Sequence, residues 1–293
     1  MKFRAIIEDV FCMKHFLGIL GTLGKLGQSC TIKISDNSLT ILMNIDQGTG
    51  RLGTTGIGSG LAWCFIPSAN FFAEFLMEGL CPAENLILLE FNPSDVTKTL
   101  FSVKSSLSAK AFKMKLTKKY FPCLTFEVEL PSASSYSRHV VHDIPVTVIP
   151  RRLWSDYKDP QREEFDATVV LPSIRTVKNI IDRLKNLDPV VEVIVNRNGD
   201  VEFKCESSMV TVTSRLTGLS VKKWSTRSDT DQDAVKKFST RVDLKKFAHF
   251  LSGDVVTAGK VCLSINDGGL LHLNVQEEGF PISFQFFQPG LYA

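Results

Sequence analysis

Three groups of residues in this chain have types and spacings that support chemistry: a glycine cluster, a histidine and aspartate cluster, and recurring lysines and arginines. Gly48, Gly50 and Gly53 stand as G-x-G-x-x-G inside DQGTGRLGTTGIGSG, residues 46–60, the pattern of a loop that cradles a dinucleotide pyrophosphate. That chemistry needs a strand entering the glycines and a helix leaving them, because the helix N-terminus supplies the amides and the dipole that hold phosphate. SLTILMNI enters as a strand, but IGSG and LAWCFI follow as an extended apolar run without helical period. The G-K-[ST] of a P-loop is missing, and Glu74 sits inside FFAEFLMEG rather than at the end of a second strand. The loop therefore reads as a connection between strands that uses glycine for its backbone freedom.

His139, His142 and Asp143 in RHVVHDIP carry metal-binding atoms, but in an extended segment residues three apart point to opposite faces and do not close on one ion. No G-x-S-x-G elbow and no H-E-x-x-H helix is present, and the carboxylates are dispersed among basic neighbours rather than paired in apolar surroundings. The seven cysteines (Cys12, Cys30, Cys64, Cys81, Cys123, Cys205 and Cys262) are odd in number, scattered and without a C-x-x-C pair, which reads as reduced thiols packed as small apolar groups. The expectation is a protein without catalytic residues, cofactor or metal.

The elements that must position any site follow from periodicity. Lys2 to Glu8 alternates as a strand, and Phe11 to Gln28 reads as a helix with Phe16, Leu20 and Leu23 inward. CTIKIS and SLTILMNI flank Asp36-Asn37 as a hairpin, LAWCFI and LILLEF are further strands, and Asn92-Pro93 supplies a cap and a first-turn proline. Val96, Leu100, Val103 and Leu107 then mark a second helix, and FKMKLT and CLTFEVEL two more strands. The Ser-rich PSASSYSR, residues 131–138, reads as a linker, followed by extended VVHDIPVTVIP. A similar order then returns. Ile174, Val177, Ile181 and Leu184 stripe a third helix, VVEVIVNRNGDVEFKCE folds about Asn198-Gly199, and MVTVTSRL is another strand. A polar, charged loop at 217–238 precedes STRVDLKKFAHFLSG, a strand, an Asp243 cap and a fourth helix stopped at Gly253, before VCLSIN, LLHLNV and PISFQFF. The expected domains are 1–130 and 146–293, joined by a connector at 131–145.

The chain has 34 basic and 31 acidic residues, net +3, so a nucleic-acid role must come from where the charges lie. Away from the apolar stripes stand Lys14, Gly18, Gly21 and Lys25 on the first helix and Lys98 and Lys104 on the second. Arg175, Lys178, Asp182 and Lys185 line the third, and Lys245, Lys246 and His249 the fourth. Repetition on all four helices points to a surface for phosphate backbones that reads no bases. Gly18, Gly21, Gly24 and Gly27 weaken the first helix or admit another backbone close to it; the sequence leaves both open. The longest apolar runs are far short of a membrane span, and the first residues lack a secretory signal, so the chain is expected to stay inside the cell.

Particular words go further. MKFRA, FPCLT, VVHDIPVTVIPRRLW, LPSIRTVKNIIDRLKN and KKFAHFLSG resemble the Hus-type subunit of the checkpoint sliding clamp, the nine-one-one heterotrimer. That subunit is similar in fold to the proliferating cell nuclear antigen. The resemblance covers nearly the whole chain; the glycine loop and the glycine-spaced helix depart from it. It implies an α+β DNA-clamp fold, two similar domains each with two helices packed on antiparallel sheets. It also implies a ring of three different subunits around double-stranded DNA, serving DNA damage checkpoint signalling and DNA repair in the nucleus, with cytoplasm as the place before assembly.

Carried over by position, the resemblance makes Lys14, Lys25, Lys98, Lys104, Arg175, Lys178, Lys185, Lys245 and Lys246 DNA-facing. It puts the subunit interfaces at two strand edges, Cys123, Leu124, Thr125, Phe126 and Val128 in one and Met209, Val210, Thr211, Val212 and Thr213 in the other. A partner-peptide groove falls at Met43, Ile144 and Pro145. Implied partners are two other clamp subunits, a clamp loader and DNA repair enzymes, and no membrane. FQFFQPGLYA ends the chain directly after a strand, leaving no room for a signalling tail, which is expected on another subunit. The alternatives are a homotrimeric replication processivity clamp and, from another class, a nucleotide-dependent enzyme using residues 46–60.

Overall fold

The computed structural model describes residues 1–46, 59–80, 84–99, 110–130, 138–160, 164–225, 237–253, 256, 259–276 and 282–291. The chain divides into two compact units, Met1–Thr54 with Trp63–Lys158, and Thr55–Ala62 with Asp159–Ala293. The G-x-G-x-x-G glycines, Lys104 and the Ser-rich run 131–137 lie outside the described residues.

The first unit begins β1 (Lys2–Ile7), α1 (Val10–Leu26), β2 (Cys30–Ser35), β3 (Ser38–Asn44), β4 (Leu61–Pro67), β5 (Glu74–Glu78) and β6 (Ile87–Phe91). It continues with α2 (Pro93–Thr99), β7 (Ala111–Lys118), β8 (Pro122–Leu130) and β9 (Arg138–Pro145). Its strands lie in the orders β5-β1-β7-β8-β9 and β6-β2-β3-β4. The second unit runs β11 (Ala167–Val170), α3 (Ile174–Leu184), β12 (Val190–Asn196), β13 (Val201–Glu206), β14 (Thr211–Leu216), β15 (Val221–Trp224) and β16 (Lys237–Asp243). Then come α4 (Leu244–Leu251), β17 (Lys260–Ile265), β18 (Leu270–Gln276) and β19 (Ser283–Pro289). Its orders are β15-β11-β17-β18-β19 and β16-β12-β13-β14. Element for element, the second unit repeats the first: one strand, a helix, five strands, a helix and three strands, with the same neighbours in each sheet.

That correspondence moves the connector. Arg138–Pro145 is the ninth strand of the first unit, paired along its length with β8 from Leu130↔Arg138 to Cys123↔Pro145, and not part of a linker at 131–145. The segment between the repeats is 146–166, which holds the short β10 (Thr147–Val148), paired with β6, and a 3-10 helix at Arg151–Tyr157. Leu153 and Trp154 of this segment pack on Leu88, Ile149 and Tyr157, so its first half belongs to the first unit. Polar composition made 131–138 resemble a linker; backbone pairing, which composition does not record, decides where the connector runs. For the same reason β15 and the start of β16 lie within 217–238, which is therefore not one loop.

Each unit packs two helices side by side over apolar sheet faces. In the first, Phe16 of α1 meets Phe112 of β7 at 5.9 Å between ring centroids, and Phe112 stacks on Phe126 of β8 at 5.5 Å. In the second, Phe247 of α4 meets Phe203 of β13, and Phe250 stacks on Phe286 of β19 at 4.5 Å. The inward positions read from periodicity, Phe16, Leu20 and Leu23 on α1 and Ile174, Val177, Ile181 and Leu184 on α3, are all buried.

The glycines of α1 resolve in favour of close approach, since the helix runs without interruption. A Cβ on Gly24 would stand 3.2 Å from Ser94 Oγ and 3.5 Å from the Ser94 backbone, at the first turn of α2. Ser94 Oγ donates to the Gly24 carbonyl at 3.3 Å, so a small residue lets the second helix touch the backbone of the first. Gly18 is buried rather than on the outer face.

Candidate nucleic-acid interface

Capping fixes where the basic helices start. Asp9 accepts a hydrogen bond from Cys12 N at 2.8 Å to open α1, and Asn92 accepts one from Ser94 N at 2.9 Å ahead of α2. Asp243 accepts from Lys245 N and Lys246 N at 2.9 and 3.0 Å to open α4. Each helix then turns its apolar stripe to the core and its charged positions outward.

Basic side chains dominate the charged groups there. Lys14, Lys25, Lys98, Arg175, Lys185 and Lys245 are exposed, and Lys178 and Lys246 half-buried. Arg183, which lies off the side chosen from the sequence, is exposed in the last turn of α3 and joins the same set. Its signal was its place beside Asp182, outside the apolar stripe. Within the described helix bounds the acids are Asp95 and Asp182, against Lys14, Lys25, Lys98, Arg175, Lys178, Arg183, Lys245 and Lys246. The helices thus hold a larger positive surplus than the +3 of the whole chain, and the rest of the chain is net acidic. At Lys185 the charge is offset locally, because its Nζ lies 2.6 Å from Asp182.

The strand edges come out differently from the sequence reading. Cys123, Leu124, Thr125, Phe126 and Val128 are at most 2% exposed, because β8 is paired on both sides, with β7 and β9. The edge strands of this sheet are β5 and β9, and β9 falls in the connector expected from the sequence. In the second unit β14 pairs only with β13 among the described residues, so Thr211, Val212 and Thr213 do lie on an edge strand, preceded by Met209 and Val210. Of the groove residues, Met43 is fully buried under Gly27 and Ile144 is 5% exposed; only Pro145 faces solvent. Neither apolar side chain is open to a peptide.

The remaining chemistry-bearing residues named from the sequence lie on paired strands or in the core. Asp143 pairs with Lys119 and accepts from Thr125 Oγ1 at 2.6 Å, and the Lys119 bond holds its carboxyl below the usual range. His139 and His142 sit opposite Glu129 and Phe126 on β8. Among the described residues no group of three or more His, Cys, Asp or Glu is placed to hold a metal ion. Burial raises the thiols of Cys12, to about 11, and of Cys30, Cys64, Cys123 and Cys205, so they stay protonated and pack as apolar groups. No described helix is long and apolar enough to cross a membrane.

A twice-repeated unit of two helices on antiparallel sheets is the architecture of the sliding clamps. The crystal structure of the proliferating cell nuclear antigen of Entamoeba histolytica superposes with a TM-score of 0.70 at 14% identity, covering 99% of each chain, which establishes that fold. Residues 1–292 match the Hus1-like protein family, and the chain belongs to it. It is 35% identical over 292 residues to the human checkpoint protein HUS1, covering 99% of this chain and the whole of that protein. The Hus1-like checkpoint protein of Drosophila melanogaster is 33% identical over 276 residues, 94% of each chain. Checkpoint protein hus1 of Schizosaccharomyces pombe is 21% identical over 220 residues, 75% of this chain and 70% of its own.

Proposed function

We propose that this chain is one subunit of a heterotrimeric ring-shaped DNA clamp of the damage checkpoint, a scaffold rather than a catalyst. The observation that carries the reading is the basic surplus on α1, α3 and α4, with Lys98 exposed on α2, in a duplicated clamp unit of a chain of the Hus1-like family. Lysines and arginines facing a duplex replace its condensed counterions, giving attraction that is sequence-independent and weakens with salt. Enclosure, not grip, then keeps the ring on DNA. The neighbours join by strand pairing at β9 and β14, whose unpaired backbone groups are the natural sites of strand addition. A clamp loader opens the ring, the complex works in the nucleus, and repair enzymes dock on the connector at 146–166 rather than on Met43 and Ile144.

A homotrimeric replication clamp has the same fold but assembles with itself. Light scattering on the purified chain separates the two: the heteromeric reading expects a species of 32.6 kDa alone and an equimolar complex once two other subunits are added. A stable trimer of this chain by itself rules that reading out.

A further inference from the structure

An apolar turn stands beside each of the two edge strands β9 and β14. β7 and β8 are joined through Lys119, Tyr120 and Phe121, where Tyr120 is 99% exposed and Phe121 51%. The turn is held firmly at its base. Lys119 N donates to Phe121 O at 3.3 Å, the Lys119 ammonium pairs with Asp143 of β9, and Thr117 and Thr125 share a hydrogen bond of 2.7 Å beneath it. The matching turn of the second repeat, between β17 and β18, is Asn266–Gly269, polar and closed within its own unit: Gly268 N donates to Ser239 O at 2.7 Å, and Asp267 accepts from Ser239 N at 2.9 Å. A hairpin at this position therefore does not require aromatic rings, and two rings on a fixed base in water call for a cover.

Strand register says what covers them. Cys123 stands opposite Pro145, so Tyr120 and Phe121 lie at the C-terminal end of β9. β14 begins at Thr211, immediately after Met209, 95% exposed, and Val210, 45%. The described strand pairs in both units are antiparallel. In an antiparallel joint the C-terminal end of one strand lies beside the N-terminal end of the other. A neighbour of the same fold that adds its counterpart of β14 to β9 therefore lays the turn preceding that strand onto Tyr120 and Phe121.

We propose that the Tyr120–Phe121 turn is the recognition anchor of the β9 joint, covered by the turn that precedes the joining strand of the neighbouring clamp subunit, and that Met209–Val210 is its counterpart at the β14 joint. The backbone pairing is common to any two strands; the turns select which neighbour occupies which edge, as buried aromatic anchors do at other interfaces. This inference rests on the ring assembly proposed above.

The test takes the full-length chain and titrates it with each of the other two ring subunits separately. Tyr120→Ser with Phe121→Ser should bind one subunit at least about tenfold more weakly, the size expected for lost hot-spot residues, and the other unchanged. Met209→Ser with Val210→Ser should show the opposite preference. Tyr120→Ser alone, at a fully exposed position, gives the same direction in a variant whose urea midpoint matches the parent. If both pairs of substitutions weaken the same subunit, or neither weakens any, the inference is wrong while the ring stands. Failure of the unaltered chain to join either subunit overturns the ring reading and this inference together.

Discussion

His272 of β18 lies between Phe165 and Phe287, with ring centroids 4.9 and 4.5 Å away, and its Nε2 is 3.0 Å from Gln285 Oε1. Burial lowers its pKa from 6.5 to about 4, the Gln285 bond opposing this in part, so the folded protein holds it neutral. With the folded value depressed, its contribution is complete above pH about 6.5 and is lost as pH falls toward 4, by about 3 kcal/mol at 1.36 kcal/mol per unit. Urea midpoints measured across that window should fall, and His272→Gln should flatten the fall; an unchanged slope refutes the assignment. Distances also decide the sign of two glycine substitutions on α1. Gly21→Ala, whose Cβ would meet Thr97 Cγ2 at an ordinary 3.9 Å, should stabilise by about 0.5–1 kcal/mol through helix propensity. Gly24→Leu must push Ser94 away and should destabilise by about 1–3 kcal/mol, both read as shifts in the same urea midpoint. At Gly199, φ is +80° and a Cβ would stand 2.0 Å from Leu219 O, so Gly199→Ala should destabilise more than Gly24→Leu.

At the scale of elements, the helices were the most legible part of the sequence. Their apolar stripes at Phe16, Leu20 and Leu23 and at Ile174, Val177, Ile181 and Leu184 announce both the fold and, by exclusion, the basic faces. Strand edges were not legible, because whether β8 is an edge depends on whether β9 lies beside it, and nothing within CLTFEVEL records its neighbour. Short β15 and β10 were hidden for a related reason: two to four residues hold too little alternation to declare a strand. The basic faces give a graded prediction. Replacing Lys245 by Gln should reduce the slope of log affinity against log salt by about 0.9 for each phosphate that is no longer neutralised. Lys185→Gln should change it less, since Asp182 already offsets that charge. Equal effects from the two would mean that the local ion pair does not matter for DNA.

At the scale of the whole molecule, the repeat is visible as an order of elements, but the boundary between the halves falls one strand later than the sequence suggests. Treating the Ser-rich run as the joint assigned β9 to a linker; the nine strands and two helices that the described residues form in each unit restore it and put the connector at 146–166. The correction matters for function, since it turns a tether into an edge strand, the place where the proposed ring would add a neighbour's strand. The central claim is that a ring of this chain and two different ones holds DNA by enclosing it. The most direct measurement loads the assembled ring on closed circular DNA and on the same DNA after one cut, then washes both with high salt. The account predicts retention on the circle and loss from the cut molecule, because salt screens the helix lysines but cannot open a closed path. Equal release from both would contradict it.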